Sequence, residues 1–261
     1  MPLTILSFTE AELITAFLVF VRTVTFLSTN PLFGNSSVPV RIRLIFSAFL
    51  ALLFIPVVPA TPGLTSGLFE MSARIVHEAF IGASMGFLVT LMFTVIAIAG
   101  HMISSTAGLQ MASMFDPSLQ TSNTVLGTLK SIMMFLVFVS MDLHHVLIEA
   151  LAWSFVKLPP GAGFGGARAG FYLVQLFTTV LKVGFTVSLP VLLVVFMINL
   201  AMAIIARIAP QMNVFFAIGG SINEQASLLL VAVSLPAITS TMSGLLSGVG
   251  DRLLELIRQF T

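Results

Sequence analysis

Residues 171–206 read FYLVQLFTTVLKVGFTVSLPVLLVVFMINLAMAIIA, a run whose single formal charge is Lys182. Extended to Arg207 and wound as one helix, it would be about 55 Å long, against about 30 Å for the hydrocarbon core of a bilayer. Lipid offers no water to unpaired backbone groups, and membrane barrel strands are only about 10 residues long, so a run of this length predicts a helix. Pro190 and Lys182 lie inside it. A proline there removes a backbone hydrogen bond and crowds the preceding turn. The stretch therefore predicts a long apolar helix that tilts, kinks or leaves the membrane.

The rest of the chain has the same character. Of 261 residues, 57% are apolar and only 8% charged, with a mean hydropathy of +1.10. A soluble domain carries about a quarter charged residues, and a fold of this length could not wet its surface with so few. An all-α, membrane-associated protein follows. A net charge of +1, with the 11 basic residues scattered singly, speaks against nucleic acid, which needs clustered cations. The absence of cysteine excludes disulfides, thiolate metal sites and cysteine nucleophiles. Residues 1–12 hold Glu10 and Glu12 and no basic residue, the wrong flank for a cleaved signal peptide, so the first apolar run is expected in the mature protein.

Six apolar segments are long enough to consider as spans: 13–29, 44–60, 79–98, 131–148, 171–206 and 225–249. Breakers separate them, among them Pro31, Gly34 and Pro39, then Pro62, Gly63 and Gly67, then Pro159-Pro160-Gly161. The loop after the fourth segment is framed by Trp153 with Lys157 and by Arg168 with Tyr172, residues that favour a membrane–water interface. Basic residues divide almost evenly between the two sets of loops, so orientation is not set by charge. Residues 79–115 contain no Asp, Glu, Lys or Arg and are too long for one span; Gly100 and Gly108 mark where regular helix should stop. Residues 183–207 and 223–249 predict a helical hairpin turning at 210–220. The tail, residues 251–261, predicts a short amphipathic helix with Leu253, Leu254, Ile257 and Phe260 on one side and Asp251 at its start, where the helix dipole favours a carboxylate.

Several motifs carry possible chemistry. Gly82-Ala83-Ser84-Met85-Gly86 fits G-x-S-x-G, but a serine hydrolase needs a strand-to-helix elbow, and these residues lie in a helical run. Glycines four apart instead allow close helix approach. Gly161 to Gly166 fits G-x-G-x-x-G without the strand or the acid that a dinucleotide fold requires. Asp142, His144, His145 and Glu149 form the one cluster resembling a metal site. Adjacent histidines on a helix point about 100° apart, so only His145 with Glu149 is expected to share an ion, and helix-end polar contacts are the default; no metal is assigned. Arg22, Lys182, Arg207 and Glu224 are lone ions in apolar context. Such charges face protein interiors, water paths or partners, or snorkel to the interface. Arg22 and Glu224 are expected to be buried contacts within an assembly. The loop Gly108-Leu109-Gln110-Met111-Ala112-Ser113-Met114-Phe115-Asp116-Pro117 turns at Asp-Pro and is rich in pliant Met. It fits either a packed re-entrant loop or a closure that can yield.

Taken in order, these pieces resemble the FliR family of flagellar export-gate subunits and its virulence-type secretion relatives. Pro31-Leu32-Phe33-Gly34 with Val38-Pro39 and Arg41-Ile42-Arg43-Leu44 is similar to the family's N-terminal signature. Gly82, Gly86, Gly100, Gly108 and Asp116-Pro117 resemble its central region; His144-His145, Ser154-Phe155 and Leu158-Pro159 its fourth-segment motif. Ala209-Pro210-Gln211-Met212-Asn213-Val214-Phe215, preceded by Pro190 and Arg207, looks like its most distinctive element, in a form closer to flagellar members. The match runs from about Pro31 to Gly219; Gly220-Ser221-Ile222-Asn223 departs from an apolar-Pro pair and a Lys in the family.

The resemblance implies a non-enzymatic gate subunit, without cofactor, in the bacterial inner membrane at the flagellar basal body. It implies assembly with FliP-like and FliQ-like subunits and an FlhB-like protein, surrounded by membrane lipid and passing unfolded export substrates. It also implies a FliP-like part over residues 1–168, with a plug loop at 108–117, a FliQ-like hairpin over 169–250, and the tail 251–261. Gating then falls to Gly108, Gln110, Met111, Met114, Phe115, Asp116 and Pro117. Assembly contacts fall to Arg22, Pro190, Arg207, Pro210, Gln211, Asn213, Phe215 and Glu224, and helix packing to Gly82 and Gly86. Rival readings are a multi-pass secondary transporter, which would carry a stronger internal repeat, an intramembrane hydrolase using Ser84 with His77 or His101, and a purely structural nucleator.

Overall fold

The computed structural model describes residues 10–34, 38–58, 67–106, 125–161, 166–208 and 220–260; of residues 57, 68, 104, 125–131 and 220–224 it describes the backbone alone. Among the described residues all regular structure is helical. In chain order the helices are α1 (Glu10–Thr29), α2 (Val40–Phe54), a 3-10 turn (Ile55–Val57), α3 (Leu68–Thr106), α4 (Val125–Ser140), α5 (Leu143–Lys157), α6 (Ala167–Ile208), α7 (Gly220–Ser247) and α8 (Val249–Arg258). Glu10–Thr29, Phe69–Ile103, Ala167–Ile208 and Gln225–Arg258 are long and apolar enough to cross a membrane.

Helix α6 forms as expected from residues 171–206 and passes through Pro190 without ending. Pro56 has the opposite effect: α2 gives way to the 3-10 turn as proline enters, because its missing N–H cannot bond back to the helix. The fourth apolar segment, 131–148, is not one helix. A turn at Met141–Asp142 divides it into α4 and α5, and Asp142 adopts a left-handed backbone (φ 54). Asp tolerates that conformation better than most residues, and its charge marks the break inside an otherwise apolar run.

The chain divides into two compact units. The first comprises residues 1–91, 142–177 and 248–261. Within it α1 packs on α2, and α5 on α8. Its core gathers Leu18, Val19 and Phe26 of α1, Ile81, Met85 and Leu88 of α3, and Leu151 and Phe155 of α5. Gly82 and Gly86 lie against the backbone of α1. A Cβ on Gly82 would meet the Arg22 carbonyl and Thr25 Oγ1, and one on Gly86 the Phe26 carbonyl and Thr29 Oγ1. Thr90 Oγ1 continues that seam, donating 2.6 Å to the Thr29 carbonyl. Helix α8 buries Leu253, Leu256, Ile257 and, just beyond its end, Phe260, while Leu254 is exposed. The expected face is thus corrected at one position, since i, i+3, i+4, i+7 spacing from Leu253 falls on Leu256.

The second unit comprises residues 92–141 and 178–247. Ile103 of α3, Val191 and Val195 of α6 and Val231 of α7 form its buried cluster. A Cβ on Gly184 would stand 3.1 Å from the Val95 carbonyl, Phe93 tilts on Phe138 with ring centroids 5.7 Å apart, and α4 packs on α7. Much of α6 faces outward: only 17% of its most apolar window is buried, against 61% in α3. The 209–219 turn of the expected hairpin lies outside the described residues.

Candidate functional site

The most concentrated polar chemistry among the described residues surrounds Arg22, in the first unit. Its side chain hangs from the middle of α1 and has no solvent exposure. An unpaired guanidinium cannot persist in such a place, because removing a charge from water costs several kcal/mol even after relaxation. Every nitrogen of this one is engaged. Nε donates to Glu78 Oε2 at 2.6 Å, Nη1 to the Ser154 carbonyl at 2.9 Å and Ser154 Oγ at 3.3 Å, and Nη2 to the Leu158 carbonyl at 3.0 Å. The guanidinium carbon also stands 4.6 Å from the centroid of the buried Phe155 ring, within cation–π range.

The fold aims these groups locally. Arg22 and Glu78 come from neighbouring stretches of α1 and α3, drawn together where Gly82 removes the side chain that would hold the helices apart. Ser154 and Leu158 supply carbonyls from the C-terminal end of α5, the Ser154 carbonyl also accepting the Leu158 N–H at 2.9 Å; cations are favoured at that end of a helix. Glu78 Oε1 then accepts the Gly161 amide at 3.1 Å. Gly161 has φ 84, a conformation open to glycine at no steric cost. One carboxylate and one guanidinium therefore tie α1, α3, the end of α5 and the Pro159–Gly161 turn. Planar, fully donating Arg suits this role in a way that Lys would not. The arrangement has no exposed nucleophile, and its chemistry is that of a saturated buried ion pair.

Sequence patterning does not single out Glu78, although one signal was available: a buried arginine demands a counter-ion, and Glu78 directly precedes the charge-free run 79–115. The expectation for Arg22 was an assembly contact; the partners seen are intrachain. Lys182 and Arg207 are exposed on α6, as is Pro190. Ser84 is buried within α3, far from any strand-to-helix elbow. Gly108, Gln110, Met111, Met114, Phe115, Asp116 and Pro117 lie outside the described residues, as do Pro210, Gln211, Asn213, Phe215 and the side chain of Glu224.

The histidine pair requires a correction. The rings of His144 and His145 are not turned apart; their centroids are 4.1 Å from each other. The 100° separation applies at Cα, and in a first turn no preceding turn restricts the rotamers that bring the rings together. Glu149, the partner expected for His145, instead accepts from Trp153 Nε1 at 3.4 Å.

Comparison with known proteins gives this arrangement a family. A model of the bacterial export proteins, family 1, matches residues 13–249. The chain belongs to that family. The flagellar biosynthetic protein FliR of Caulobacter vibrioides is similar to it, with 30% identity over 254 residues, 97% of this chain and 98% of its own length. FliR of Aquifex aeolicus is 31% identical over 239 residues, 90% of each chain. The Yop proteins translocation protein T of Yersinia pestis is 27% identical over 199 residues, 76% of each. In this family-1 export protein the matched region includes the whole Arg22–Glu78 cluster, and three of the residues around it, Ser154, Phe155 and Leu158, belong to the fourth-segment motif on which the resemblance rested.

Proposed function

We propose that this chain is a core, non-enzymatic subunit of a flagellar type III protein-export gate in the bacterial inner membrane, at the flagellar basal body. Its relatives are named for flagellar biosynthesis and for Yop translocation, and near-complete coverage of both chains supports the same assignment here. The observation that carries the subunit role is α6, a 42-residue apolar helix most of whose strongest apolar window is unburied in the chain. An exposed surface of that kind requires lipid or other apolar helices against it. The partners that fit are FliP-like and FliQ-like gate subunits, with an FlhB-like protein around them and unfolded export substrates in the lumen. The Arg22–Glu78 cluster holds the first unit rigid within that assembly, so that yielding is left to other segments.

In this reading the residues Gly108–Pro117 close the lumen, with Met111, Met114 and Phe115 as the yielding apolar seal. The test is ion leakage across membranes of cells expressing the assembled gate, with 108–117 intact or deleted. A leaky, assembled deletion complex is expected. An assembled complex that stays sealed would assign closure to a partner and leave this chain a scaffold.

A further inference from the structure

We propose that Asp142, His144 and His145 form a binding site for a divalent first-row transition ion of the zinc class, at the start of α5. One ligand atom from each residue can be chosen so that all lie within 4.8 Å of one another. His145 Nδ1 stands 4.0 Å from Asp142 Oδ1. Ligands about 2.0–2.1 Å from a tetrahedral zinc stand roughly 3.4 Å apart, so the set must contract by up to about 1.4 Å. Side chains that are 73% and 77% exposed for His145 and Asp142 can rotate that far without displacing neighbours.

Two further observations favour an ion over an ordinary helix-end contact. The two imidazole rings lie with centroids 4.1 Å apart, tilted by 39°, an approach that a shared cation would bridge. Asp142, in its left-handed backbone, does not cap α5 through its side chain, and its carboxylate stands near His145 Nδ1 instead. Two imidazoles and one carboxylate leave an open coordination position, and imidazole suits zinc, nickel and copper more than magnesium or calcium. Bound there, the ion would fix the first turn of α5, the helix whose other end is held by Arg22.

The test is a Co2+ titration of the full-length protein, purified in detergent without a histidine tag and followed by visible ligand-field absorption, then competed with Zn2+. One Co2+ per chain, displaced by Zn2+, is the expected result. Loss of a ligand should cost at least what loss of a second-shell partner costs, about 10- to 100-fold in affinity. Asp142→Asn, His144→Ala and His145→Ala should therefore each weaken binding by tenfold or more, with helicity by circular dichroism unchanged. Glu149→Gln and His101→Ala should leave affinity as it was. Absence of stoichiometric binding, or binding that survives the double variant H144A/H145A, overturns the proposal. So does a ligand set that runs through Glu149 in place of Asp142.

Discussion

Arg22 Nε lies 2.6 Å from Glu78 Oε2, and neither side chain has any solvent exposure. The two charges are 56 residues apart in sequence, so their pairing is a property of the fold and not of one helix. Removing either partner leaves the other as an uncompensated buried charge, which costs about 3–5 kcal/mol, whereas replacing both with apolar residues of similar volume is far milder. Arg22→Met and Glu78→Leu should each sharply reduce the folded fraction on thermal challenge, read by fluorescence-detected size exclusion. The double variant should recover most of that loss. A double variant whose loss is the sum of the two single losses would mean that the pair is not coupled.

The glycine seam makes a second prediction. A methyl on Gly82 or Gly86 meets backbone carbonyls of α1 that cannot rotate away. Gly82→Ala and Gly86→Ala should each destabilise by about 1–3 kcal/mol, the usual range for overpacking. Gly170 in α6 has open space around it, and Gly170→Ala should instead stabilise by about 0.5–1 kcal/mol through helix propensity. Melting temperatures of the three variants decide the matter by their sign.

The buried face of α8 can be tested one residue at a time. Leu256 is fully buried and Leu254 is 36% exposed. Leu256→Ala should cost about 2–5 kcal/mol, while Leu254→Ala should stay within about 0.5 kcal/mol. Comparable losses at both positions would place the tail in a different rotation from the one described.

Ser84 separates a hydrolase from a packed helix. It sits within α3, buried, between glycines whose neighbours are α1. Ser84→Ala should leave secretion and motility at the level of the parent strain, because it removes one hydroxyl and adds no volume. Abolished secretion with the protein still present at normal abundance would restore the catalytic reading.

The elements that were legible from sequence are those whose cause is local. Lipid-length apolar runs with breakers between them are enough to predict α1, α6 and α7, and amphipathic spacing is enough to predict α8. What escaped depends on contacts distant in sequence or on one residue's backbone. The α4–α5 break rests on Asp142 in a left-handed conformation, which an apolar window overlooks. Glu78 is identified as a site residue only when α1 and α3 are set side by side. The histidine rings were misjudged because residue spacing describes Cα directions and side-chain torsions do the rest. The gating role of 108–117 was read by resemblance and the 210–220 turn from the two apolar runs it joins; residues 107–124 and 209–219 lie outside the described residues.

Arg22 also imposes an order on biogenesis. Its acceptors on Ser154 and Leu158 lie 132 and 136 residues downstream, so during synthesis α1 emerges long before the carbonyls that will receive its guanidinium exist. Until residue 158 has been made, Glu78 can already pair with the guanidinium, but its acceptors on Ser154 and Leu158 cannot all be in place. Completion of the Arg22 cluster is thereby coupled to translation of more than half the polypeptide, and a product truncated before Ser154 would leave part of the guanidinium's hydrogen bonding unmet.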